Sequence, residues 1–180
     1  MSSSSITQRW YKRRQLFTKR LPPVVRSWLF DASSLTARLI RYSSGNFHVE
    51  LLSQEIRRPT WDEAKVLEIA SNQFALIRQV RLCCGKKSVV YARTVIPLST
   101  LKGAERSYAN LGNRPLGAML FADHSMRRDE VMVTQLLPEN PLYKRTGAQD
   151  EIIWGRRSVF HVGDKPLLVS EYYLPELFRS

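Results

Sequence analysis

Two charges stand where an alternating pattern calls for apolar residues. Between Phe74 and Cys84, the residues Leu76, Arg78, Val80 and Leu82 recur at every second position; between Leu167 and Leu174, so do Leu167, Val169, Glu171 and Tyr173. Successive side chains of a strand point to opposite faces, so each set forms one stripe, apolar except for a single charge. A buried charge needs a counter-ion, a ligand or a route to water, because isolation from solvent is costly. One arrangement pairs Arg78 with Glu171 as a structural ion bridge, or lets each reach solvent at a sheet edge. The other is a pocket in which Arg78 holds a carboxylate and Glu171 accepts or donates a hydrogen bond. Arginine suits that role because its planar fork matches a carboxylate through two parallel hydrogen bonds. Arg93, among Val89, Tyr91 and Val95, shows a weaker version of the pattern.

Other chemistries lack their residues. His48, His124 and His161 are scattered and fit no metal-binding or H-E-x-x-H spacing, so each reads as a surface or packing residue. No G-x-S-x-G elbow, G-x-G-x-x-G turn or phosphate-binding loop occurs, and neither metal nor cofactor is expected. Cys83 and Cys84 are adjacent, which suits neither a disulfide nor a zinc site; they read as reduced structural residues on opposite strand faces.

The elements that would position the charges are strands closed by short turns. Residues 74–84 and 88–96 are rich in β-branched and apolar residues and are joined by Gly85-Lys86-Lys87, a hairpin signature. Further strands are expected at 47–52, 124–137, 152–162 and 167–174. Helices are expected over 7–20 and 24–42, with Pro22 and Pro23 between them, and over 100–110, ended by Gly112. Thr60-Trp61-Asp62-Glu63 is a capping box that should start a helix running to about Ala70. Leu116–Phe121 reads as a short apolar turn, and 137–151, with Pro138 and Pro141, as a long polar loop of functional interest. Strands in hairpins with helices gathered apart point to an α+β fold on a single antiparallel sheet of about six strands.

The 180 residues suit one domain spanning 1–180, and 43% hydrophobic with 24% charged residues is a globular balance. No apolar run approaches the roughly 18–20 residues that span a bilayer. The N-terminus lacks the apolar stretch of a secretory signal. It is Ser- and Arg-rich with no acid before Asp31, as in an organelle transit peptide, but Trp10, Leu16 and Phe17 at helix-like spacing favour folded structure, so a cytoplasmic protein is expected. A monomer is also expected. A formal charge of +12 favours anionic partners, whether nucleic acid, lipid or small acids. The basic residues are spread along the chain without a recognition helix or finger, so nucleic acid is not the expected partner.

At these same segments the sequence resembles the chorismate pyruvate-lyase family. The match is carried by Ala92 through Leu101 (ARTVIPLSTL), Leu111-Gly112, Pro115-Leu116-Gly117, Trp154 through Ser158 (WGRRS), Lys165 through Leu168 (KPLL), Glu171 and Leu174-Pro175. Leu35-Thr36-x-Arg38 is similar to the family's early helix, and the order and most spacings fit across nearly the whole chain. The stretch between Asp129 and Trp154 is longer than in compact members, and the positive charge is more extreme. The resemblance implies a sheet whose helices cover an enclosed ligand site, and an elimination of pyruvate from chorismate to 4-hydroxybenzoate, the first step of the ubiquinone ring pathway. It assigns carboxylate binding to Arg78 and the backbone amide of Leu116, the ring 4-oxygen to Glu171, the flap over the ring to Leu35, and a neighbouring second ligand site to Arg93. Arg93 is also a candidate for the side-chain carboxylate of chorismate. The alternative is a non-catalytic, small-acid-binding effector domain of the same fold, which would bind such acids without releasing pyruvate.

Overall fold

Alternating apolar runs closed by tight turns build one antiparallel sheet of eight strands. The computed structural model describes residues 8–16, 21–149 and 151–179. In chain order come β1 (Tyr11–Lys12), a 3₁₀ turn at Arg13–Leu16, α1 (Pro23–Leu29), α2 (Leu35–Tyr42), β2 (Phe47–Arg57), α3 (Trp61–Val66), β3 (Ala75–Cys84) and β4 (Lys87–Pro97). A 3₁₀ helix at Gly103–Asn110 precedes α4 (Leu116–Ala122), β5 (Met126–Arg128), β6 (Met132–Leu136), α5 (Tyr143–Thr146), β7 (Ile153–Val162) and β8 (Lys165–Tyr173). The strands lie in the order β1-β6-β7-β8-β4-β3-β2, and β5 pairs with β7 beside that path. Among the described residues, no helix is long and apolar enough to cross a membrane.

The central strands of the sheet are buried on both faces. On one, Val49, Val80, Leu82 and Tyr173 pack with Trp28, Leu29, Leu35 and Leu39 of α1 and α2. Beside them Leu76, Ile96, Phe160 and Val169 pack with Leu116 and Leu120 of α4. The other face carries Tyr91, Tyr172 and Ile153 against Tyr143 of α5, and Ile77, Val95 and Leu168 against Leu67.

Several expectations are corrected. The strands exceed six because β1 is an extra two-residue strand and because 124–137 divides around Asp129, whose carboxylate meets His161 at 2.9 Å and whose amide bonds to the Val159 carbonyl. The stretch 8–16 is an extended pair and a 3₁₀ turn rather than a helix, while residues 7 and 17–20 of that expectation lie outside the described residues. The helix expected over 24–42 is two helices. Ser34 caps α2 by accepting from the Ala37 amide, and Asp31 accepts from the Ser33 amide at 2.8 Å in the turn before it. The capping box at Thr60 and Glu63 is present in full, yet α3 stops at Val66, with Glu68 following at φ 55°. Leu116–Ala122 is a helix and not a turn. The long segment 137–151 contains α5, and Tyr143 pins its ends by donating its hydroxyl to the Glu151 carbonyl and accepting from the Glu151 amide.

Candidate active site

Between α2, α4 and the sheet lies an enclosed cavity of about 50 Å³, room for a few water molecules. Leu35 and Thr36 of α2 line it with Leu116 and Gly117 of α4 on the helical side, while Arg78, Thr94, Val169 and Glu171 face it from the sheet. Register explains the grouping. Arg78 pairs with Thr94 and Thr94 with Val169, whereas Glu171 lies on the next row, opposite Ala92 on one side and Arg156 on the other.

Arg78 is only 2% exposed. One of its terminal nitrogens donates to the carbonyls of Gly112 at 2.8 Å and Arg114 at 3.0 Å. Gly112 sits at φ 54°, where a side chain would be strained, and this turn aims its carbonyl at the guanidinium. Nε of Arg78 is buried and has no hydrogen-bond partner among the described residues. Burial alone pulls the Arg78 pKa down, and no carboxylate offsets it. An arginine in that state is a ready anion site.

The expected Arg78–Glu171 bridge is not formed. Glu171 accepts instead from Nε of Arg156 at 2.6 Å, its direct neighbour across β7 and β8. Arg156, 1% exposed, also donates to the carbonyls of Trp28 (3.2 Å), Leu29 (3.4 Å) and Asp31 (2.7 Å). These lie at the C-terminal end of α1, where helix carbonyls lack internal partners and the dipole favours a cation. Burial works against the Arg156 charge, but Glu171 overcomes it and raises the pKa. Arg128 completes the ring of charge: its Nε donates to Ser158 Oγ at 3.0 Å, and its guanidinium lies 5.1 Å from the Phe160 ring centre.

Of the residues singled out in the sequence, Arg78, Leu116, Leu35 and Glu171 meet in this cavity. Arg93 does not. It faces the other side of the sheet, where both its Nε and a terminal nitrogen engage Glu63, at 2.6 and 3.0 Å. It is therefore not placed to hold a second carboxylate of a ligand in the enclosed cavity, and instead lines an open groove of about 530 Å³ with Trp10, Asp62 and Arg157. The long segment reaches that same groove through Asn140, Pro141, Leu142 and Arg145, so it covers the opposite face and is not a lid on the cavity. The histidines lie outside both cavities.

Arg156 and Arg128 were missed by sequence reasoning as site residues. Arg156 did carry a signal, since Trp154, Arg156, Ser158, Phe160 and Val162 form a stripe broken by one charge, as at Arg78. The adjacent Arg157 blurred it. Arg128 stands beside Arg127 in a three-residue strand, too short for periodicity to choose between them.

The chain matches the family described as chorismate lyase over residues 6–180. The probable chorismate pyruvate-lyase of Methylococcus capsulatus is 40% identical over 151 residues, covering 83% of this chain and 93% of that protein. That of Marinobacter nauticus is 39% identical over 175 residues, covering 95% and 88%. Among solved structures, PhnF from Mycobacterium smegmatis superimposes with a TM-score of 0.60 at 14% identity, over 82% of this chain and 66% of that one. The ligand-binding domain of a GntR-family regulator from Bordetella bronchiseptica gives 0.56 at 15% identity, over 73% and 86%. These structures share the fold of the sheet and its helices. The match along nearly the whole length and the similarity to these two relatives establish that the chain belongs to the chorismate lyase family.

Proposed function

We propose that this chain removes pyruvate from chorismate and leaves 4-hydroxybenzoate, the ring precursor of ubiquinone, in the cytoplasm and without a cofactor. The observation that carries the reading is the enclosed cavity with an unpartnered Arg78 Nε on one row of the sheet and Glu171, clasped by Arg156, on the next. Relatives named probable chorismate pyruvate-lyase support it.

In this elimination the ether bond at ring C3 breaks and the hydrogen at C4 leaves as a proton. The departing enolpyruvate gains a proton to become pyruvate, and the ring becomes aromatic. The reaction is strongly downhill, so the protein must chiefly orient the substrate, exclude water and stabilise developing charge. Arg78 holds the ring carboxylate, helped by the amide of Leu116, one of the first amides of α4 and so without a partner inside the helix. Glu171 meets the ring 4-oxygen, on the carbon whose proton leaves, and assists the transfer of that proton; Arg156 holds its Oε2 and fixes its orientation. Leu35 closes over the ring from α2. The free space is small, so α2 and α4 must part to admit substrate and release product. Arg93 belongs to the groove on the opposite face, as the anchor of a second ligand site.

The test is incubation of pure protein with chorismate, without added metal, following both products. Release of 4-hydroxybenzoate and pyruvate in equal amounts is expected, and no turnover would end this reading. The likeness to regulator effector domains favours one other reading, a domain that binds small acids without reacting them. Chorismate or 4-hydroxybenzoate binding without pyruvate release would select it.

A further inference from the structure

The charged groups lining the enclosed cavity are Arg78, Arg128, Arg156 and Glu171. Glu171 compensates Arg156, so two guanidiniums remain without a counter-ion there. Arg78 has only carbonyl partners. Arg128 has the Ser158 hydroxyl, and it reaches the Asp31 carbonyl only at 3.5 Å. The Asp31 carboxylate is engaged elsewhere, by Arg38 at 2.7 Å and by Ser33. Burial, and then the neighbouring Arg156 charge, pull the Arg128 pKa down, and Glu171, Tyr173 and Asp31 offset them only in part. Two uncompensated cations in one small cavity are the complement of a dianion, not of a monoanion.

One row of the sheet runs from Arg78 to Ser158, and Arg128, on β5 opposite Phe160, reaches that far end through its side chain. Arg78 lies opposite Thr94, Thr94 opposite Val169, and Val169 opposite Ser158, the residue that holds Arg128. Three strand spacings separate Arg78 from Ser158, about 14 Å between backbones, and Arg128 lies one strand further, about 19 Å from Arg78; the two long side chains narrow that span from both sides. Glu171 and Arg156 lie along the adjacent row.

We propose that Arg128 binds the carboxylate of the enolpyruvyl side chain while Arg78 takes the ring carboxylate, so that the cavity selects the substrate by its second negative charge. This rests on the chorismate reading above. Substrate carries two carboxylates and 4-hydroxybenzoate one. Breaking the ether bond places further negative charge on the departing fragment, beside Arg128, and that fragment carries its carboxylate away as pyruvate. Arg128 is thus engaged by substrate and leaving group, and not by the retained product.

Steady-state chorismate kinetics and 4-hydroxybenzoate binding by calorimetry, on the parent, Arg128→Gln, Arg128→Lys and Arg78→Gln, test the assignment. Arg128→Gln should lower kcat/KM ten- to a hundredfold and change the 4-hydroxybenzoate Kd by less than about threefold, with partial recovery in Arg128→Lys. Arg78→Gln should weaken both ligands. Equal losses for both ligands in Arg128→Gln, or loss for neither, would overturn the proposal. Melting curves identify any variant that does not fold; if Arg128→Gln is one, Arg128→Lys decides by the same ratio of chorismate to 4-hydroxybenzoate effects. If the parent binds chorismate without turning it over, the enzymatic reading fails, while the difference between chorismate and 4-hydroxybenzoate affinity still decides Arg128.

Discussion

Buried and half-buried arginines occupy both faces of the sheet, and the two faces neutralise them differently. On the face that carries α3, Arg93 is gripped by both carboxylate oxygens of Glu63. Arg157 is paired with Asp62 and stacks over Trp10, its guanidinium 4.2 Å from the ring centre. Both acids come from the first turn of α3, which the Thr60 cap holds in place. On the face that carries α2 and α4, only Arg156 has a carboxylate, while Arg78 and Arg128 rely on carbonyls and a hydroxyl. A paired buried charge holds elements in register, whereas one left to neutral partners costs stability and marks where a ligand supplies the counter-charge. Similar arginine counts therefore leave the charges paired within the protein on one face and in excess on the other.

That contrast breaks if stranding an acid does not cost more than removing an unpaired arginine. Arg156→Leu leaves the half-buried Glu171 without its partner, and should lower stability by about 3 kcal/mol, the low end for a broken buried pair, in chemical denaturation. The double variant Arg156→Leu/Glu171→Leu should regain most of that loss. On the opposite face Arg93→Met strands Glu63 and should approach the same cost. Arg78→Met strands no acid, so its melting temperature should fall much less than that of Arg93→Met. Its chorismate kcat/KM should nevertheless drop ten- to a hundredfold, about 1.5–3 kcal/mol of lost charge-assisted hydrogen bonding.

A smaller effect probes how the cavity is closed. A Cβ on Gly117 would lie 2.8 Å from the Thr36 hydroxyl, so Gly117→Ala should push α4 from α2. Overpacking of this kind costs about 1–3 kcal/mol, and the displaced Leu35 and Leu116 should raise KM for chorismate more than they lower kcat.

The smallest effect separates the faces by pH. Burial raises the Glu63 pKa, but hydrogen bonds and charge from Arg93, with the Thr60 amide, outweigh it and hold the pKa below the ordinary 4.5. The folded state therefore favours ionised Glu63. That stabilisation is complete well above pH 4.5 and is lost as pH falls through the depressed folded value. Glu63→Gln should be less stable than the parent at pH 7, and the gap should shrink in acid. A gap that widened below pH 4.5 would contradict this pairing.

Much of this arrangement was legible in local pattern. The hairpin at Gly85, the capping box at Thr60 and the strand faces of Arg78 and Glu171 each depend on residues within a few positions of one another. The second task of Glu63, holding Arg93 thirty residues away, was not legible, because a capping box predicts only the bonds to its own helix start. The break between α1 and α2 had local signs in Asp31 and Ser34, but the partner of its carbonyls had none. The carbonyls of Trp28, Leu29 and Asp31 turn to Arg156, more than 120 residues on in the chain, and no local signal announces that partner.

The sequence by itself determined which side chains share a strand face, because a period of two follows from the backbone alone, and it determined that two charges interrupt apolar stripes. Family motifs then attached chemistry to them. Only the tertiary structure decided which charges meet. Strand order set β8 between β4 and β7, so Glu171 found Arg156 across the ladder and left Arg78 and Arg128 to face the cavity unpaired. Partner choice depends on which strands become neighbours, and that is settled by how helices and sheet together bury their apolar faces.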